Sequence, residues 1–275
     1  MMRYALLWLA SALFASTLAG CSGKPRLSAD EALQRAAVAE ESGELRQAAT
    51  LLARPAQAGD ARAQYHLGSL YRRGGGDLQA DSGLARDWLR RAAEQRHVEA
   101  QYDLADLFVF GNREAARRDY AEAARWYRMA AEQGNSDAAH ALASLYRNGL
   151  GVERSDLNAA RWLTRAAEAG QHSAQAALAY LFDVGQGVPQ DHAQALHWYR
   201  RAAEGGHAFA RMRLGDFYRK GHLLDLDLVE AHIWYNLAAS QGSDLAARRR
   251  DEVGVQLGPE RLAAAQREAR RRLGF

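Results

Sequence analysis

The stretch Ala85-Arg86-Asp87-Trp88-Leu89-Arg90-Arg91-Ala92-Ala93-Glu94-Gln95 returns four times further along the chain. Trp126-Tyr127 with Ala130-Ala131 is the second copy, and Trp162-Leu163 with Ala166-Ala167 the third. Trp198-Tyr199 with Ala202-Ala203 and Trp234-Tyr235 with Ala238-Ala239 complete the series. The Trp-to-Trp steps are 38, 36, 36 and 36 residues, so five of the six tryptophans are used once per period. A fixed period of about 20–50 residues marks a solenoid, in which each unit buries its apolar face only against its neighbours. Within the stretch the apolar offsets 0, 3, 4, 7 and 8 fall on one side of a helix that turns about 100° per residue.

A second helical stripe precedes each Trp helix. It starts at Ala63, Ala100, Ala138, Ala174 and Ala210, with leucine at offset four and a small residue at offset five (Gly68, Ala105, Ala143, Ala179, Gly215). Leu70, Leu107, Leu145, Leu181 and Phe217 follow, and an aromatic closes the stripe at Tyr71, Phe108, Tyr146, Phe182 and Tyr218. The small residue predicts close approach of the partner helix. Turns follow at Gly74, Gly111, Gly149, Gly185 and Gly221, with a fuller Gly-x-Gly-Val at 149–152 and 185–188. Glycine supplies the positive φ that stops a helix, and no strand–turn–helix context makes these phosphate loops. The Trp helices end at Gly134, Gly170, Gly206 and Gly242, with Arg96 in that place in the first unit. A polar residue (His97, Asn135, Gln171, His207, Ser243) then enters the next helix.

The resulting pattern, AxxxLGxLYxxGxGVxxDxxxAxxWYxxAAExG, resembles the Sel1-like repeat, a relative of the tetratricopeptide repeat, in five copies over 61–243. The resemblance implies an all-α fold, a right-handed α-solenoid of antiparallel helix hairpins whose first helices line the concave face. Repeats one, two and five depart from the glycine segment, at Gly74-Gly75-Gly76, Gly111-Asn112 and Gly221-His222-Leu223.

The flanks read as caps. Residues 29–60 suggest a degenerate half-repeat with helices over 29–41 and 45–58, in which Pro55 is expected to kink or shorten the second. Residues 244–275 suggest capping helices, one over 245–255 and one begun at Gly258-Pro259. Residues 1–20 read as a secretory leader, with Arg3, an apolar run and a small-residue end. Leu18-Ala19-Gly20-Cys21 resembles the bacterial lipobox, which implies lipidation of Cys21 and a tether over 21–28. Ser22, in place of aspartate, favours the outer membrane.

Composition excludes several classes of function. The net charge is +3, too small for a nucleic-acid partner. The single cysteine forms no disulfide within the chain and no CxxC metal site. The nine histidines form no HxxxH or HExxH pair, so no metal is expected. No GxSxG occurs, and Glu94, Glu132, Glu168 and Glu204 recur with the repeat instead of pairing for catalysis. Neither enzyme activity, nor a cofactor, nor a small-molecule substrate is expected.

Binding is then left to the positions that the repeat does not fix. Offsets two, six and nine of each first helix point away from the apolar stripe. They are Tyr65, Ser69 and Arg72; Tyr102, Asp106 and Val109; His140, Ser144 and Arg147; Ala176, Tyr180 and Asp183; and Met212, Asp216 and Arg219. Tyrosine and arginine supply much interface energy, which suits a protein or peptide ligand. The expected function is a lipid-anchored, periplasm-facing scaffold that binds envelope proteins. The alternatives are a regulator of a sensor or envelope enzyme, or a surface factor that binds a host protein.

Overall fold

A computed structural model describes residues 27–110 and 118–274. The leader, Cys21 and the Gly111-Asn112 turn lie outside the described residues. Helix α1 (Ala29–Glu41) and α2 (Leu45–Gln57) lead into five hairpins. These are α3 (Ala61–Arg73) with α4 (Ser82–Glu94), α5 (Val98–Phe110) with α6 (Tyr120–Glu132), and α7 (Ser136–Asn148) with α8 (Asp156–Glu168). Then come α9 (His172–Val184) with α10 (His192–Glu204), and α11 (Ala208–Lys220) with α12 (Leu228–Ala239). The span α13 (Asp244–Leu273) closes the stack, bent at Gly258, whose φ of 71° and ψ of 166° are not helical. Each helix packs chiefly on the one before it and the one after it, so order in space follows order in the chain, as in an α-solenoid. No helix among the described residues is long and apolar enough to cross a membrane.

The helix ends recur because the capping side chains recur. Asp81, Asp119, Ser155, Asp191 and Asp227 cap the second helices by accepting backbone N–H bonds. The first helices are capped at one repeat phase, where Asn135 Oδ1 and Gln171 Oε1 each accept at 2.7 Å. His97 and His207 do the same through Nδ1 at 3.4 Å. A histidine caps this way only while Nδ1 is unprotonated. Burial, ahead of the neighbouring charges, holds both rings below the ordinary value of 6.5. A depressed folded-state pKa contributes stability that is present above the unfolded value and is lost as pH falls through the folded one. His207→Asn, which caps at any pH, should therefore shrink the loss of stability between about pH 7.5 and about pH 5.5. It should change stability at the higher pH by no more than about 1 kcal/mol, as read by urea unfolding at both values.

The stack is sealed by small residues and by the residue that follows each tryptophan. Leu89, Tyr199 and Tyr235 are fully enclosed, and Tyr127 and Leu163 nearly so. The small residue at offset five is required by that contact. A Cβ on Gly68 would stand 2.8 Å from Leu89 Cγ, and one on Gly215 2.7 Å from Tyr235 Cε1. Trp126 and Trp198 are buried as well, but the other three repeat indoles sit further out. Trp88, Trp162 and Trp234 are half-buried, and an arginine lies over each ring: Arg91 at 4.6 Å, Arg165 at 5.0 Å and Arg272 at 5.5 Å. Pro55 lies in the last turn of α2, which runs on to Gln57.

The two glycines of the Gly-x-Gly-Val segments have different tasks. Gly149, Gly185 and Gly221 are left-handed helix stops, with φ of 66°, 72° and 65°. Gly151 and Gly187 seat the loop on the preceding repeat. A Cβ there would lie 2.1 Å from Tyr120 C and 2.2 Å from Asp156 O, respectively.

Candidate functional site

The first helices α3, α5, α7, α9 and α11 form one row, and side chains bridge neighbours along it. Tyr65 of α3 stacks on His97 at the start of α5, ring centroids 4.6 Å apart. Arg72 of α3 reaches Asp103 of α5 at 3.1 Å. Asp106 accepts from the Tyr127 hydroxyl of α6, beside which Tyr102 lies tilted at 5.7 Å. Burial raises the Asp103 carboxyl although Arg72 opposes it, and burial likewise raises Asp106. Burial and then Asp106 push the Tyr127 hydroxyl far above its ordinary value.

The other end of the row is held by a larger charge network. Arg213 of α11 pairs with Asp183 of α9 and, at 3.1 Å, with Asp216 on its own helix. Arg249 of α13 gives Asp216 both oxygen contacts at 2.6 Å, and the Tyr235 hydroxyl donates to it at 2.7 Å. Arg219 donates to that hydroxyl at 3.2 Å. Asp216 was expected to project freely and is instead 4% exposed, because α13 covers this side of α11. Ala176 and Met212, expected at free positions, are buried too. Ser69 is half-buried, and its hydroxyl is enclosed with no partner among the described residues.

Between the two networks the row is open. Arg147 is exposed, Tyr180 is 41% exposed, and His140 and Ser144 are half-buried. Burial lowers the His140 pKa although the Asp137 carboxylate opposes it. No ion pair engages Arg147 among the described residues. A cavity of about 190 Å³ opens where α9, α10 and α11 meet, lined by Asp183, His192, Arg213, Asp216, Lys220 and His222 among others. No three histidine, cysteine or acidic side chains converge to hold a metal among the described residues.

Two sets of structural residues escape a reading of free positions. Asp103 and Arg213 lie at offset three and carry the ion pairs between first helices. Offset one carries Gln64, Gln101, Gln175 and Arg211, each donating to a carbonyl near the end of the preceding second helix: Ala56, Ala93, Ala167 and Ala203, at 2.9–3.1 Å. The recurrence of glutamine at a buried phase was a visible signal for these cross-repeat caps.

A crystal structure of a Sel1 repeat protein from Oxalobacter formigenes matches with a TM-score of 0.74 at 30% identity, covering 83% of this chain and 93% of that one. A second structure is of a protein described as a protective antigen present in uropathogenic Escherichia coli strains displaying an SLR fold. It matches with a TM-score of 0.56 at 30% identity, covering 82% of this chain and 56% of that one. No curated relative matches the chain. The Sel1 repeat family model matches residues 61–97, 98–135, 136–171, 172–207 and 208–243. With five tandem copies over most of its described length, the chain belongs to the Sel1 repeat family.

Proposed function

We propose that the chain is an adaptor, anchored by lipid on Cys21 and facing the periplasm, that holds envelope proteins against the concave face of its first helices. A Sel1 solenoid is a protein-interaction scaffold, and such scaffolds are generally non-catalytic. The observation that carries the finer reading is the open middle of the first-helix row. Tyr180 and Arg147 stand free there, between two stretches tied down by charge. Rigid flanks around free aromatic and guanidinium groups limit the ordering cost of binding, and these residue types dominate interface energy.

A photo-crosslinking amino acid placed at Tyr102 or Tyr180 in living cells should capture discrete envelope proteins. Placed at the exposed Arg161 of α8 it should not. Adducts no richer from the first-helix positions than from Arg161 would sink the reading. Cys21→Ser should release the chain from the membrane fraction, which tests the anchor separately. The similarity to a protein described as a protective antigen favours display on the cell surface as a second reading. Protease shaving of intact cells decides between the two, because a periplasm-facing chain survives it.

A further inference from the structure

Repeat five breaks the glycine rule, and a cavity lies beside the break. Gly151 and Gly187 each follow a helix stop by two residues and lie against the backbone of the preceding repeat. The equivalent residue is Leu223, which has the same positive φ, 65°, and is half exposed. A bulky side chain is disfavoured in that conformation. At the two glycine positions a Cβ would run into the neighbouring backbone, and Leu223 brings a Cβ to the same place in the repeat. Beside this loop lies the cavity of about 190 Å³, lined by His192, at the start of α10, and by His222, in the loop. The two rings meet edge to face at 5.6 Å.

The charges lining the cavity are arranged by depth. The carboxylates are deep and matched: Asp183 by Arg213 and by His192 Nδ1 at 3.1 Å, and Asp216 by Arg213 and Arg249. The outer groups are cationic or neutral donors. Lys220 and His222 are exposed, and the His192 side chain is 42% exposed. Lys220 has no acidic partner among the described residues. Arg213, Arg249 and Lys220 against Asp183 and Asp216 leave one uncompensated positive charge, located at the mouth. Pockets for small organic ligands run to about 300–1,000 Å³, so this volume suits one side chain.

We infer that the cavity is an anchor for a single acidic side chain of the docked protein, its carboxylate taken by Lys220 and the His222 imidazole, beside the His192 ring that Asp183 holds. The inference rests on the first-helix row being the docking face, and it specifies what that face selects. A charge-assisted contact at this mouth favours a carboxylate over its neutral glutamine isostere.

The test uses the purified full chain and two fluorescent peptides identical except for one central Glu or Gln, followed by anisotropy and by the ring resonances of His192 and His222. The Glu peptide should bind about tenfold or more tighter than the Gln peptide, shift both rings, and lose this preference as salt rises. Lys220→Gln should abolish the preference without lowering the melting temperature. Leu223→Gly should relax the loop onto α10, raise the melting temperature and weaken the Glu peptide about tenfold or more. Equal binding of the two peptides, or either variant binding the Glu peptide as the unchanged chain does, overturns the inference. Crosslinking from Tyr180 in the Lys220→Gln chain separates the two levels. Adducts that persist while no acid preference exists leave the adaptor standing without this anchor, and adducts absent from the unchanged chain remove the adaptor itself.

Discussion

Gly151→Ala should destabilise the chain by more than about 3 kcal/mol, while Gly149→Ala, two residues earlier, should cost only about 1–2 kcal/mol. Both glycines have φ of 66°, so the conformational penalty of a Cβ is common to both. Their surroundings differ. The Cβ on Gly149 would meet Arg154 Cβ at 3.3 Å, a contact relieved by a small shift at an exposed residue. The Cβ on Gly151 would meet Tyr120 C at 2.1 Å, with Tyr120 O and Ala121 N both at 2.3 Å. All three are backbone atoms at the start of α6, and no rotamer clears them. The loop has to lift off repeat two, which weakens the joint between repeats two and three, since each unit of a linear stack is held only by its neighbours. Urea unfolding of the two variants measures the difference. Gly151→Ala should also lower the slope of the transition, because an array cut in the middle unfolds in parts. Equal losses from the two substitutions would show that the loop moves freely and that the second glycine is only a second helix stop.

That contrast also marks how far the residues alone could be read. The hairpins, their period and the small residue at offset five follow from periodicities inside one unit, and the helices form where those periodicities place them. What lies between units was less legible. The Gly-x-Gly pair reads as a helix stop because that signal is local, whereas the backbone that Gly151 touches lies in the preceding repeat. The tryptophans advertised the period, yet the fully enclosed side chains are the next residues, Leu89, Tyr199 and Tyr235. A helical wheel puts both on the same side, and only the neighbouring helix decides which goes deeper. The same limit explains Asp216. Offset six points away from its own stripe, but a wheel drawn for α11 alone omits α13 and Arg249. Tyr180 and Arg147 lie in repeats where offset three is an alanine, Ala177 and Ala141, in place of the charged Asp103 and Arg213 that tie the ends of the row.

Asp216→Ala should cost about 3 kcal/mol. Removing one partner from a buried ion cluster typically costs about 3–5 kcal/mol, because the remaining charges lose their compensation without regaining water. The lower end applies here, since the Arg213 and Arg249 side chains are 24% and 25% exposed and can recover part of their hydration. The Tyr235 hydroxyl would lose its acceptor as well. The Asp30–Arg62 pair, with side chains 72% and 56% exposed, gives the comparison, because Asp30→Ala removes an exposed ion pair expected to contribute less than about 1 kcal/mol. The double change Asp216→Leu with Arg249→Met should restore much of the loss, since a buried ion pair and an apolar pair of similar volume are close in energy. Its value lies in separating two roles. If the network only fills space, the double variant regains stability and keeps the Glu-over-Gln preference of the adjoining cavity. If the network also fixes Arg213 below that cavity, the double variant regains stability and loses the preference, because Arg213 keeps Asp183 but no longer has Asp216 to hold its second edge. Asp216→Ala unfolding within about 1 kcal/mol of the unchanged chain would contradict both, and would mean that water already shares this cluster.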